Sequence, residues 1–215
     1  MKKFAIILAG CGVYDGAEIH EAVMSMYAVL KNGGEYQVFA PDIAQHHVVN
    51  HITGAEMPET RNVLIESARI ARGKIKPVTK LDLREFDALL FPGGFGVAKN
   101  LCSYAFKGAE CKVNPEIAIL IKEAVSLRKP VGALCISPVL LASVLGDVEL
   151  TIGNDVSTAA DVEKMGAKHK ITTHGQVVYD SKYKVFTTPC YMLDATILQI
   201  AEGADNIVTA MLKEM

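Results

Sequence analysis

Pro130-Val131-Gly132-Ala133-Leu134-Cys135-Ile136-Ser137-Pro138 is a short apolar run that ends on one nucleophilic side chain and turns into a proline-opened helix. An apolar run of this length reads as a buried strand, and Pro138 is pre-set for a first helical position. Strand, cysteine, sharp turn and helix together have the form of a nucleophile elbow, which exposes the nucleophile beside N–H groups at a helix N-terminus. The positive end of that helix favours thiolate over thiol, so Cys135 is expected below the ~8.5 of a free cysteine. A buried, inert cysteine is the competing reading, since cores are where most cysteines sit. Its place at the strand end favours a functional one.

Outward from this stretch, short apolar runs alternate with longer helical periods. Phe4–Ala9 is a strand, and Asp15 opens a helix with Glu18 as its reciprocal capping partner. That helix stops at Asn32-Gly33-Gly34, a C-cap signal, and Tyr36–Ala40 is the next strand. An irregular stretch from Gln45 to Glu59 precedes a helix over Thr60–Arg72. Asp87–Phe91 is a strand running into Pro92-Gly93-Gly94-Phe95-Gly96, and Asn114-Pro115 opens a helix that reaches Leu127. Helix Ser137–Leu145 follows the elbow. Leu150–Ile152, Val177–Tyr179 and Lys184–Thr187 are further strands, and a helix over Asp194–Lys213 closes the chain. This alternation predicts one α/β domain over 1–215, a mostly parallel sheet with helices on both faces.

Composition narrows the function. With 22 Lys+Arg against 24 Asp+Glu the net charge is −2, so the basic excess that phosphate neutralisation needs is missing and a nucleic-acid partner is not expected. No apolar stretch approaches the ~20 residues of a membrane span. Leu8-Ala9-Gly10-Cys11 has the look of a lipid-attachment box. The apolar core before it is shorter than the ~7–15 residues of a signal segment, and an amphipathic helix rather than a polar tether follows. Five cysteines without a C-x-x-C pair suggest free thiols and a reducing compartment, read as the cytoplasm.

Two other strand ends carry unusual residues. Gly93-Gly94 can bring backbone N–H groups close to an oxyanion. Gly10-x-Gly12 starts like a dinucleotide fingerprint, but Asp15 occupies the third glycine position and would repel a pyrophosphate there. Cys11 is expected to line the same pocket as Cys135, since both end strands on one edge. His46, His47 and His51 match no zinc-ligand spacing, and no cofactor or metal is expected.

Phe91-Pro92-Gly93-Gly94-Phe95-Gly96 and Gly132-Ala133-Leu134-Cys135 resemble the class I glutamine amidotransferase-like superfamily, which includes the intracellular protease-like proteins. Four further segments resemble its enhancing-lycopene-biosynthesis branch: Gly10 to Glu21, Thr60 to Glu66, Gly94 to Leu101, and Thr187 to Met192. The resemblance implies a flavodoxin-like three-layer sandwich, usually a homodimer, and a reactive cysteine paired with a carboxylate. It also implies glyoxalase activity on small dicarbonyls, glyoxal to glycolate without glutathione. Relatives place the carboxylate about three turns before the glycine that ends the first helix, which fits Glu21. Glu18 is the runner-up, already explained by capping. Gly93, Gly94, Ile136, Phe95 and Asn100 are the expected substrate and oxyanion contacts. After Cys135 only His169 and His174 remain, and neither has the His-x-Glu spacing of a glutaminase. The expected function is therefore a cysteine-dependent enzyme for small aldehydes. The alternative is a non-enzymatic redox-sensing or interaction protein using the same thiol.

Overall fold

The computed structural model describes residues 1–215. In chain order the elements are β1 (Lys3–Ile7), α1 (Ile19–Lys31), β2 (Glu35–Ala40), α2 (Val63–Ile70), β3 (Ile75–Pro77) and β4 (Ala88–Phe91). A single π-helical turn over Val97–Leu101 precedes α3 (Tyr104–Lys107). Then come α4 (Pro115–Ser126), β5 (Val131–Leu134), α5 (Pro138–Leu145), β6 (Glu149–Leu150), α6 (Val156–Lys164) and β7 (Lys168–His169). The chain closes with β8 (Val178–Asp180), β9 (Val185–Thr188) and α7 (Ile197–Lys213). No helix is long and apolar enough to cross a membrane.

The main sheet has the order β3-β2-β1-β4-β5-β9-β8 and is parallel except for β8 against β9. Strands β1, β4 and β5 are almost wholly buried on both faces, which is why they read as continuous apolar runs rather than alternating ones. Alternation reappears in three dimensions. Ala5 and Ile7 face one core with α4 and α5, while Phe4 and Ile6 face the other with α1 and α7. The result is a flavodoxin-like three-layer sandwich. Its strand order reverses between β1 and β4, and ligands in such sheets sit beyond the carboxyl ends at that switch point.

Several expectations are corrected. Helix α1 begins at Ile19, not at Asp15, because Glu18 is itself the N-cap and accepts the Glu21 N–H at 2.7 Å. Asp15 instead accepts the Val49 N–H at 2.7 Å and ties down the loop after β2. The expected strand at 150–152 pairs outside the main sheet, as β6 with β7. Helix α6 lacks an apolar stripe strong enough to announce it, since Thr158 and Val162 are its only buried residues. Its N-cap Asp155, accepting from Thr158 N–H at 2.7 Å, was the available signal.

Candidate active site

Cys135 ends β5 at φ 59°, a left-handed turn that a side-chain-bearing residue adopts only when its surroundings hold it there. Two contacts do so. The Cys135 N–H donates to Thr188 O at 3.0 Å, and Ser137 Oγ donates to Pro92 O at 2.8 Å. The elbow is thus fixed to the ends of β9 and β4.

Glu21 enters from the first turn of α1, fully buried. Its two oxygens accept the Gly93 N–H at 2.8 Å and the Tyr191 N–H at 3.2 Å. Carboxyl and thiol lie side by side, close enough for each to shift the other's protonation. How closely they meet is measured at Gly93: a Cβ there would fall 2.6 Å from Glu21 Oε2, 2.9 Å from Cys135 Sγ and 2.4 Å from Cys135 Cβ. Only glycine leaves room for the pair.

Burial raises the Glu21 carboxyl to about 7, and the nearby Glu18 charge adds to the rise. Burial and the Glu21 charge push the Cys135 thiol well above its ordinary value. The expectation of a thiol lowered by the α5 dipole is therefore corrected. Loss of water and an adjacent carboxylate outweigh a partial charge at a helix end. At rest the site holds a neutral thiol beside a carboxyl poised near neutrality.

A cavity of about 360 Å³ opens at the sulfur. Gly94, Ile136 and the half-exposed Phe95, three of the residues expected to contact substrate, line it. The Gly94 main chain lies close enough to the sulfur to favour its charged form, and neither the Gly94 nor the Ile136 N–H donates to a main-chain carbonyl. Gly94 reaches this geometry at φ 103°, closed to ordinary residues. Two expected contacts serve structure instead. The Gly93 N–H is committed to Glu21 and faces no ligand. Asn100 is buried with its amide donating to Ala9 O and Asp15 O and accepting from His46 N–H, so it ties the loops after β1 and β2 to its own segment after β4. Cys11 also departs from expectation: it lies beside Glu66 and Arg69 rather than at the cavity. His169 accepts the Ile152 N–H at 3.3 Å and His174 lies in a separate surface cleft, so neither completes a glutaminase triad.

Sequence reading marked Thr187 to Met192 as a family motif but gave the segment after β9 no place in the site. Tyr191 gives its N–H to Glu21 and its ring to the cavity, and buried Cys190 sits next to the pair at φ 41°. Because β9 neighbours β5 in the sheet, its carboxyl end was a candidate on topology alone. Tyr104, Asp155 and Thr158 complete the wall from α3 and the start of α6, with no local signal to mark them.

No family model matches the chain. It is 43% identical over 221 residues to the human glutamine amidotransferase-like class 1 domain-containing protein 3, covering 98% of this chain and 82% of that protein. The rat ES1 protein homolog matches equally, at 43% with 98% and 83% covered. A crystal structure of an isoprenoid biosynthesis protein with an amidotransferase-like domain from Ehrlichia chaffeensis superposes with a TM-score of 0.93 at 35% identity, covering 100% of this chain and 99% of that one. Both mammalian relatives are named as mitochondrial, which overturns the cytoplasmic placement read from the thiols. Free cysteines report a reducing environment, not which compartment supplies it. Matched from end to end by these relatives, the chain belongs to the glutamine amidotransferase-like class 1 family of the ES1 and isoprenoid-biosynthesis amidotransferase-like proteins.

Proposed function

We propose that the protein is a cofactor-independent, glyoxalase-like enzyme that uses Cys135 and Glu21 to convert small dicarbonyls to hydroxy acids. The observation that supports this reading is the buried Glu21 carboxyl, raised to about 7 and packed with the Cys135 thiol against Gly93. A base of that strength suits proton transfer at neutral pH. Glu21 takes the thiol proton as the sulfur bonds to one carbonyl carbon of glyoxal. The Gly94 and Ile136 N–H groups hold the developing oxyanion, which then takes the proton to give a hemithioacetal. Glu21 next removes the C–H proton of that carbon and returns it to the neighbouring carbon through an enediol. The product is a thioester of glycolate, and water releases glycolate and restores the thiol. A resting redox sensor, by contrast, requires thiolate character, and burial pushes this thiol the other way. Incubation with glyoxal should yield glycolate from the wild type and none above background from Cys135→Ser. Equal rates in the two proteins would end the proposal.

A further inference from the structure

The cavity at Cys135 is divided by chemistry. At its inner end lie the Cys135 thiol, Gly94 and Ile136, the last two with N–H groups that no main-chain carbonyl takes. Elsewhere the wall is mostly apolar: Val13, Phe95, Ala98, Ala105 and Met192 line it with the rings of Tyr104 and Tyr191, and Thr158 and Asp155 are its polar members. The polar tips of those rings are turned away and already used. Tyr104 Oη donates to Asp161 at 3.1 Å, while Tyr191 Oη is bonded to His20 Nδ1 at 2.8 Å. No Lys, Arg or His lines the space: the Lys99 ammonium beside Phe95 donates to Tyr14 O at 2.8 Å, and the one charged lining residue is the exposed Asp155.

Size points the same way. At roughly 30 Å³ for each heavy atom, the share of one water, four-atom glyoxal fills only about a third of 360 Å³. A carboxylate or phosphate would enter an apolar chamber with no cation to pair it and an acid at the door, a cost that neither contact nor burial offsets. Free glutamine, with both an ammonium and a carboxylate, is disfavoured for the same reason.

We infer that this site selects uncharged α-oxoaldehydes bearing an apolar substituent, such as an aryl or short alkyl group, over both glyoxal and anionic oxo acids. The Asp155 carboxylate acts as the anion-rejecting residue. The inference rests on the reading of Cys135 as the group that adds to a carbonyl.

Its test separates binding from turnover. Reversible addition of a carbonyl shields Cys135 from iodoacetamide, and the alkylation rate is read by mass spectrometry on the Cys135 peptide. Glyoxal, phenylglyoxal and glyoxylate are compared, each corrected for its affinity toward a free small thiol. Phenylglyoxal should protect at a concentration at least about tenfold below glyoxal, as expected for burying one ring, with glyoxylate the weakest. Ala105→Lys, on the exposed surface of α3, should improve glyoxylate protection and weaken that of phenylglyoxal. Asp155→Asn keeps the helix cap and should improve glyoxylate alone, by about two- to fivefold for one screened charge at the rim. Equal protection by the three probes, or glyoxylate ahead, overturns the inference. Ranked protection without glycolate formation overturns only the enzymatic proposal, and glycolate formation without ranking overturns only the selectivity.

Discussion

In the proposed function Glu21 and Cys135 set the chemistry, and each makes a claim that single substitutions test. In Glu21→Gln one carboxyl oxygen becomes an NH2 facing either the Gly93 or the Tyr191 N–H, so a buried donor loses its acceptor. The variant should fold but lose about 1–3 kcal/mol in chemical denaturation. Its turnover should fall by roughly 10²–10⁴, the usual worth of a general base. Unchanged stability would mean that the two N–H bonds do not hold the carboxyl. The pH profile has a definite sign. Glu21 acts as a base only when ionised, so kcat/KM should rise with pH and level off above about 7. A flat profile between pH 5 and 8 would remove Glu21 from the role. The sequence reading reached both residues: the cysteine from its strand-turn-helix setting, the glutamate from family resemblance. It assigned the thiol's protonation wrongly, because burial is not a property of a nine-residue window.

Two elements bring that pair together, the first turn of α1 and the turn after β4. Glu18 caps α1 and also raises the Glu21 carboxyl through its charge. Glu18→Ala should therefore cost about 0.5–2 kcal/mol of stability. Glu18→Gln retains an acceptor for the Glu21 N–H and should cost little, yet move the acid limb of the activity profile to lower pH. An unshifted limb would show that the Glu18 charge does not reach the site. At the other element, Gly93→Ala places a methyl 2.4 Å from Cys135 Cβ. That atom is too close to the main chain to swing aside, so the elbow and α1 must part. Turnover should be lost and thermal stability lowered, by about 1–3 kcal/mol as for other overpacked sites; wild-type activity in this variant would refute the close approach. The Pro-Gly-Gly turn was legible as a close-approach signal, but its role was not. Gly93 makes room and holds Glu21, while Gly94 lines the cavity beside the sulfur.

Across the whole molecule, Glu21 leaves a trace in stability itself. Its carboxyl holds a proton up to about pH 7 in the folded chain, against 4.5 for an ordinary glutamate. Between those values the native state binds a proton that the unfolded chain has released, so this group's contribution is full below 4.5 and lost as pH rises to 7. The shift corresponds to ~3 kcal/mol. Denaturation of wild type and Glu21→Gln across pH 4–8 should show the wild type losing stability relative to the variant as pH rises; parallel curves would contradict a buried, proton-holding carboxyl. The sequence by itself determined the layered α/β architecture, the elbow at Cys135 and the glycines after β4. These follow from local steric rules and from apolar runs whose length and punctuation are written in consecutive residues. Tertiary structure decided what distant segments do to one another. It committed Asn100 to the loops after β1 and β2, turned Cys11 toward Glu66, brought Tyr191 to Glu21 across 170 positions of sequence, and placed α6 and Asp155 at the cavity rim. Packing chooses which of many polar groups lose their water, and desolvation fixes a proton's place only after the chain has closed around it.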